Sequence, residues 1–509
     1  MIRSVAAATL VATALRVFRI GHQSLWVDEL FTLQSAGGGG SLALRDLLDN
    51  VHGPLYSVIL HLWMKIAGES EWALRAPSAL AGVLTVPAMA WLGARWLGRN
   101  VAAPAAWLAA GSPFLVWYAQ ETRNYAWLVL WVVVGAAALL ETRHRFTAVT
   151  AIGAWAAVAA GLLTNLSQAL LLPLHVRLWV GGDAATRRRR LALLGVAVGL
   201  VALVALPWLP RIASVWDWSR LAPHHAAAPD EVALRGATTF SVVAVPFALH
   251  AFAVGYTLGP SLREMRTVAG PAVLAAHVPE LVMTGLVFGV LGVLGLLALA
   301  RRRRMWDALL WFVAPTLAVS YFASHNFKVF HPRYIAVALP CVLLAFAAAL
   351  VDLRPVPRRL MGGAIAALWA VSLYHHYFVP EYGREDYRGA VAAVRARLVP
   401  GEQVLAVGTV EPVEYYGKGI PVKGWWLGFV AHPDRMRERF ARAIAPASGT
   451  WVVLSRAEDL DPADRFARWL SSRYPGAVRL SFTGVRVWHL APQDLRDTSE
   501  AARPRADAP

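Results

Sequence analysis

Two adjacent carboxylates, Asp28 and Glu29 in the run SLWVDELF at 24–31, are the first residues of this sequence whose types could do chemistry. Such a pair can hold a divalent cation, or one member can take a proton from an attacking hydroxyl while the other tunes it. A solvated acidic turn is the alternative. Further along the chain come His52 in HGPLY, Arg75 in SEWALRAPSAL, Glu121, Arg123 and Tyr125 in YAQETRNYAW, and Lys328, His331 and Arg333 in HNFKVFHPRYIAVALP. Arg75 either snorkels to the membrane surface or meets an anionic ligand, and Glu121 and Arg123 either pair with each other or serve that ligand. His52 is either an interfacial residue or, with Asp28, a metal ligand. Gathered on one membrane face, these carboxylates and cations suit a lipid-linked phosphate: its leaving oxygen is stabilised while a hydroxyl is deprotonated.

The elements that must position these groups are membrane helices. Of 509 residues, 57% are hydrophobic and 22 are Trp, above the apolar share of a soluble domain. The net charge of +17 sits in short arginine runs between apolar segments, as cytoplasmic loops require, so nucleic acid is not the expected partner. Cys341 is the only cysteine, which rules out an intrachain disulfide and a thiolate metal cluster. Apolar segments of about bilayer length run over 4–20, 73–96, 101–119, 124–140, 146–164, 166–180, 191–209, 281–300, 305–322, 334–351 and 360–379, about 11 spans in all. The first is read as an uncleaved helix rather than a signal peptide, with Arg16 and Arg19 at its far end beside the acidic pair.

Arg95 and Arg99, RHR at 143–145, RRRR at 187–190, RRRR at 301–304 and DLRPVPRR at 352–359 then fall in alternate loops, which places the N-terminus inside and the C-terminus outside. A first outer loop, 21–72, carries the acidic pair and a short interfacial helix at 54–67. A long outer loop, 210–280, carries an apolar run at 236–258 read as re-entrant or interfacial. From 381 the composition becomes that of a soluble domain, with strand patterns at 403–410, 450–455 and 485–490 alternating with helical ones. The expected architecture is mainly α: a transmembrane bundle over 1–380, a small extracytoplasmic α/β domain over 381–495, and a disordered tail over 496–509. That domain has no GxGxxG or P-loop to hold a nucleotide.

The motifs LWVDELFT, HGPLYSVILHLW, SEWALRAPSALAGVLTVPAMAWLGARWLGR, YAQETRNYAW and HPRYIAVALP, in this order over residues 1–350, resemble those of a known family. It is the polyprenol-phosphate-sugar-dependent GT-C glycosyltransferases of the protein O-mannosyltransferase and aminoarabinose transferase type. The resemblance implies that Asp28 is catalytic with Glu29 beside it, that Arg75 meets the lipid donor, and that Glu121 and Arg123 match the second outer loop more loosely. It also implies an inverting transfer of one sugar from a polyprenyl-phosphate donor to a hydroxyl of a lipid, glycan or protein at the outer face of the cell membrane. A divalent ion at Asp28 is left open. The rivals are a lipid or polysaccharide transporter, which would place charge pairs at mid-membrane depth, and an accessory protein that binds the lipid without chemistry.

This layout is checked by single introduced cysteines in a Cys341→Ala background, probed on intact cells with an impermeant thiol reagent. Residue 28 and the domain after 381 should label, and the loops at 143–145, 187–190 and 301–304 should not. Labelling at 301–304 would make 236–258 a span.

Overall fold

The computed structural model of the chain describes residues 1–48, 53–181, 184–215, 218, 240–267, 272–325, 327, 329–444 and 448–493. His52, Lys328, the tail 496–509 and residues 236–239 of the apolar run lie outside the described residues. The chain divides into two compact units: one of 1–21, 32–259 and 278–376, the other of 22–31, 260–277 and 377–509. The second unit is wider than the expected C-terminal domain, because it includes a segment from each of the two long loops.

The first unit is helical. Among the described residues six helices are long and apolar enough to cross a bilayer: Glu71–Trp96, Tyr125–His144, Thr186–Trp208, Val278–Arg301, Met305–Ser324 and Pro332–Asp352. A bent pair, Arg99–Gly111 and Pro113–Ala119, makes a seventh if counted as one span. The remaining expected spans are helical but shorter or more polar. They are Ile2–Val17, Ala148–Thr164, the 3₁₀ turn Leu166–Leu171 followed by Leu172–Val180, and Pro355–Phe378, which carries Arg358, Arg359, His375 and His376 near its ends.

Local sequence explains where these helices start and break. Ser70 caps Glu71–Trp96 by accepting from the Ala73 amide, with Glu71 in the first turn against the positive end of the helix dipole. Thr147 and Thr150 form a reciprocal capping box for Ala148–Thr164. A π-helical turn at Leu309–Val313 precedes Pro315, whose ring cannot accommodate the carbonyl four residues back. The helix Ala244–Val254 has 11 residues, roughly 16 Å of rise and about half of what a bilayer needs. By length it is not a span.

The 56° bend between Arg99–Gly111 and Pro113–Ala119 matters most for the site. Ser112 leaves helical geometry, accepts from the Leu115 amide through its hydroxyl, and precedes Pro113 in the first helical turn. The break strands buried carbonyls, and Arg16, fully buried in the last turn of Ile2–Val17, answers them. Its guanidinium donates to the Ala109 and Ala110 carbonyls at 2.9 Å each. Gly82 makes room: a Cβ there would lie 2.8 Å from Arg16 Nε and 2.8 Å from the Ala119 Cβ. Beyond the bend, the Gln120 amide donates to the Arg16 and Phe18 carbonyls at 3.0 and 2.8 Å, closing the end of the first helix, while its oxygen meets His376 Nε2 at 3.0 Å.

The second unit is built on a five-stranded mixed sheet of β1 (Gln403–Val407), β2 (Val422–Trp425), β3 (Thr450–Ser455), β4 (Val478–Phe482) and β5 (Val485–Leu490), in the order β2-β1-β3-β5-β4. β1 pairs in parallel with β2 and β3; β5 pairs antiparallel with β3 and β4. Its central strands are buried on both faces, which is why they read as apolar runs. Val404, Ala406, Trp451 and Val453 face the helix Tyr387–Arg395 through Tyr387, Val391 and Val394. Leu405, Val407, Val452 and Leu454 face Met436, Phe440, Phe466 and Leu470 of the helices Pro433–Ala443 and Arg465–Arg473. The three expected strands are β1, β3 and β5; β2 and β4 are the half-exposed edge strands whose mixed composition hides them.

Arg16→Leu should destabilise the protein by about 2–6 kcal/mol, the cost of leaving two buried carbonyls without donors. The readout is loss of the monodisperse species on heating in detergent, at a temperature below that of the unaltered chain.

Candidate active-site residues

In the second unit the acidic pair splits into two roles. The helix Val27–Ser35 begins at it, with Asp28 and Glu29 in the first turn. Glu29 is fully buried, and its Oε2 lies 3.1 Å from Arg384 Nη1 and accepts from the Trp26 amide at 3.3 Å. The Arg384 guanidinium also stands 5.5 Å from the Trp26 ring centroid. Asp28, one residue earlier, is partly exposed. One carboxylate anchors the segment; the other is accessible.

The rest of segment 22–31 is fastened residue by residue. Ser24 donates to Asp386 Oδ1 at 3.2 Å and accepts from the Arg388 amide at 3.1 Å. The Leu25 amide donates to the Tyr416 hydroxyl at 2.7 Å, and the Arg384 amide to Gln23 Oε1 at 3.3 Å. Asp386 also caps the helix Tyr387–Arg395 through the Gly389 amide at 2.9 Å. None of Arg384, Asp386, Arg388 or Tyr416 stands out in the sequence, because each lies more than 350 residues from its partner in an ordinary polar stretch.

In the first unit the structure brings Glu121, Arg123, Tyr125, His331 and Arg333 together. The guanidinium carbons of Arg123 and Arg333 each lie 5.9 Å from the Tyr125 ring centroid. Arg333 also covers the Tyr334 ring at 5.1 Å and donates to its hydroxyl at 3.1 Å, while its amide donates to His331 Nδ1 at 3.2 Å. Arg123 donates to Thr32 Oγ1 at 2.7 Å, and its carbonyl accepts from Ser78, which in turn meets the Tyr56 hydroxyl. Glu121 takes the Trp117 indole N–H at 2.9 Å rather than pairing with Arg123. Arg75 is buried and donates to the Ile20 carbonyl at 2.9 Å.

Two residues that the sequence reading did not single out join this cluster, one of them opening the YAQETRNYAW motif. The hydroxyls of Tyr118 and Tyr256 meet at 2.9 Å, both side chains being almost fully buried. The Tyr118 ring packs on Tyr125 at 5.2 Å and the Tyr256 ring on His331 at 5.8 Å. Tyr256 follows Gly255, whose φ of 78° ends the helix Ala244–Val254 and whose missing Cβ would fall 2.9 Å from Pro113. Gly53, beside His52 in the sequence, is likewise required by packing, since a Cβ there would overlap the Leu163 carbonyl.

The same unit holds an apolar cavity of about 530 Å³ along the helix Val278–Arg301. Gly285, Gly289 and Gly292 share one face of that helix, and a Cβ at any of them would meet nothing within 4 Å. Lining residues run from Leu281 to Leu299, roughly 27 Å of helix and close to the thickness of a bilayer's hydrocarbon core. His250 lines the cavity and its Nε2 meets the Leu258 carbonyl at 2.7 Å, so the strand of chain carrying Tyr256 runs from the cavity wall to the aromatic cluster.

Among the described residues no group of three or more His, Cys, Asp and Glu side chains is placed to hold a metal ion, and Glu29 is engaged by Arg384. His52, the other donor considered for an ion at Asp28, lies outside the described residues.

Residues 51–209 match a family model described as dolichyl-phosphate-mannose-protein mannosyltransferase. Over 144 residues the chain is 27% identical to the protein named "Putative mannosyltransferase YkcB" of Bacillus subtilis (strain 168), covering 28% of this chain and 20% of that protein. The chain thus matches about a fifth of the length of that relative. Among solved structures, ArnT from Cupriavidus metallidurans in the apo state superposes with a TM-score of 0.58 at 15% identity, over 97% of this chain and 98% of that one. ArnT is also known bound to undecaprenyl phosphate, at a TM-score of 0.55, 15% identity and coverage of 96% and 97%. The oligosaccharyltransferase AglB from Archaeoglobus fulgidus, in complex with an inhibitory peptide and a dolichol-phosphate, gives 0.56 at 12% identity over 97% of this chain and 74% of that one. The expected resemblance is thereby met, and the fold is that of the GT-C glycosyltransferases.

The tyrosine dyad admits a direct test. Tyr118→Phe or Tyr256→Phe leaves one buried hydroxyl without its partner and should cost about 1–3 kcal/mol, whereas the double variant removes both and should recover most of that loss. Unfolding of all three variants in the same detergent measures the coupling; additive losses would contradict it.

Proposed function

From a chain with the GT-C fold, we propose a membrane glycosyltransferase that moves one sugar from a polyprenyl-phosphate donor to a hydroxyl at the extracytoplasmic face, with inversion at the anomeric carbon. The observation that carries the proposal is the pair of guanidiniums, Arg123 buried and Arg333 half-buried, set about one buried tyrosine ring. Two cations at such depth call for an anion, and planar guanidinium groups match phosphate oxygens bidentately. The proposed phosphate contacts are Arg75, Arg123 and Arg333, assisted by Tyr125 and His331, with Glu121 holding Trp117 and limiting the net charge. Lys328 is assigned to the same role from sequence alone. The glycine-faced cavity suits the isoprenoid tail, whose apolar length needs a slot of bilayer dimensions rather than a compact pocket. The acceptor is a lipid, glycan or protein hydroxyl.

Once cations neutralise the phosphate, what the reaction lacks is a nucleophile stronger than a neutral hydroxyl. Asp28 is assigned as the base. It takes the hydroxyl proton as the oxygen bonds to the anomeric carbon and the bond to the phosphate oxygen breaks, an effect worth ~10²- to 10⁴-fold in rate. Charge developing on the departing phosphate falls to the arginines. Attack from the face opposite the phosphate inverts the configuration.

Asp28→Asn keeps the shape and removes the basicity. In proteoliposomes supplied with synthetic polyprenyl-phosphate mannose and membranes of a strain lacking the gene, it should bind donor normally and transfer at least about 100-fold less sugar. Full activity, or retention of configuration in the product, would refute the mechanism.

A further inference from the structure

Glu29 is fully buried, and its carboxylate is stabilised by a guanidinium that belongs to the chain more than 350 residues later. We propose that Arg384 is a positioning residue for the transfer reaction, so that the α/β unit sets the orientation of Asp28. The inference rests on Asp28 being the base.

Three features point to positioning rather than simple attachment. First, the contacts fix the segment on both sides of its turn: Gln23, Ser24 and Leu25 before the helix, and Glu29 within its first turn. A short stretch pinned at residues 23, 24, 25 and 29 has little freedom left at Asp28, which lies between Leu25 and Glu29. Second, the Arg384 side chain does two things from one place, pairing with Glu29 at 3.1 Å and covering the Trp26 ring at 5.5 Å, so it sets the rotation of the helix start as well as its position. Third, the pair is sealed from water, with Glu29 side-chain exposure of 0% and Arg384 of 8%. An ion pair in that setting is not a surface accident: removing one partner leaves a buried charge that must either find water or take up a proton.

That last property separates a positioning role from a merely structural one. With Arg384 in place, Glu29 pairs with its guanidinium and accepts the Trp26 amide. Without it, burial favours the neutral acid, and the ionisation of Glu29 moves upward in pH. The turn would then be set correctly only above the new ionisation, so catalysis would acquire a requirement for a proton to leave Glu29. Base catalysis by Asp28 already gives an acid limb to the pH–rate profile. Loss of Arg384 should therefore shift that limb to higher pH.

The experiment uses the full-length protein in proteoliposomes, with synthetic polyprenyl-phosphate mannose as donor and membranes of the deletion strain as acceptor source. Arg384→Gln should lower kcat at least tenfold with the donor KM within twofold of the unaltered protein, and should raise the midpoint of the acid limb by one pH unit or more. Adding Glu29→Gln should abolish that shift, because no carboxylate is left to titrate. Arg384→Lys keeps the charge and should keep the original midpoint. A variant that fails to fold would lose donor binding as well, and Arg384→Lys then supplies the comparison. An acid limb in Arg384→Gln that stays where it is in the unaltered protein, with Asp28→Asn inactive, overturns the positioning role alone. Full activity in Asp28→Asn overturns the base assignment on which it rests.

Discussion

Arg16 donating into the carbonyls of Ala109 and Ala110 is the contact on which the first unit depends. A helix interrupted inside apolar surroundings exposes backbone acceptors that neither lipid nor side-chain methyls can satisfy. Continuing the helix straight would not answer the Ala109 carbonyl either, because Pro113, four residues on, has no N–H to give. Held bent, it turns Trp117, Tyr118, Gln120 and Glu121 toward one region, where Gln120 reaches back to the first helix and Tyr118 meets Tyr256. Gly82 and Gly111 belong to the same arrangement, the one giving space to Arg16 and the other lying against Trp369. One buried cation thus determines where several candidate ligand residues stand.

The second unit solves a different problem by ordinary soluble-protein means. A sheet buried on both faces is rigid, and the residues at the start of the helix Tyr387–Arg395 inherit that rigidity from Tyr387, which is fully buried in its core. Arg384 and Asp386 immediately precede this helix, so what they hold is held by the sheet. A loop carrying an accessible carboxylate would otherwise sample many orientations, and catalytic geometry tolerates errors of only a fraction of an ångström.

Much of this was legible in the sequence where a local rule was enough. Apolar length located the helices, the alternation of arginine runs with spans gave the helical core its pattern, and the apolar runs expected as strands at 403–410, 450–455 and 485–490 contain β1, β3 and β5. Arg123, Tyr125, His331 and Arg333 were singled out as polar residues in apolar settings, and they do converge. What escaped was pairing at long range. Arg16 and its carbonyls are more than 90 residues apart, and Glu29 and Arg384 more than 350, with no periodicity to link them. Arg16, expected at the far end of the first helix, lies in its last turn and serves the helix break. Glu121 and Arg123, neighbours in sequence with an obvious ion pair to make, reach the Trp117 indole and the Thr32 hydroxyl. Tyr118 and Tyr256 looked like two more aromatics in an aromatic-rich chain. Helices shorter than a bilayer's width were counted as spans because composition alone does not reveal a bend at Ser112 or a 3₁₀ turn at 166–171.

The glycine face of Val278–Arg301 has a consequence for the protein as a thermodynamic object. A packed interior carries its own filling, but a slot opened by three absent side chains does not, and in a membrane its occupant comes from the surroundings. Any lipid that enters the slot in the folded state alone adds to the folding free energy in proportion to the logarithm of its concentration. The stability of this bundle is then not a constant of the polypeptide. It is a property shared with the bilayer, and it falls as purification strips that bilayer away.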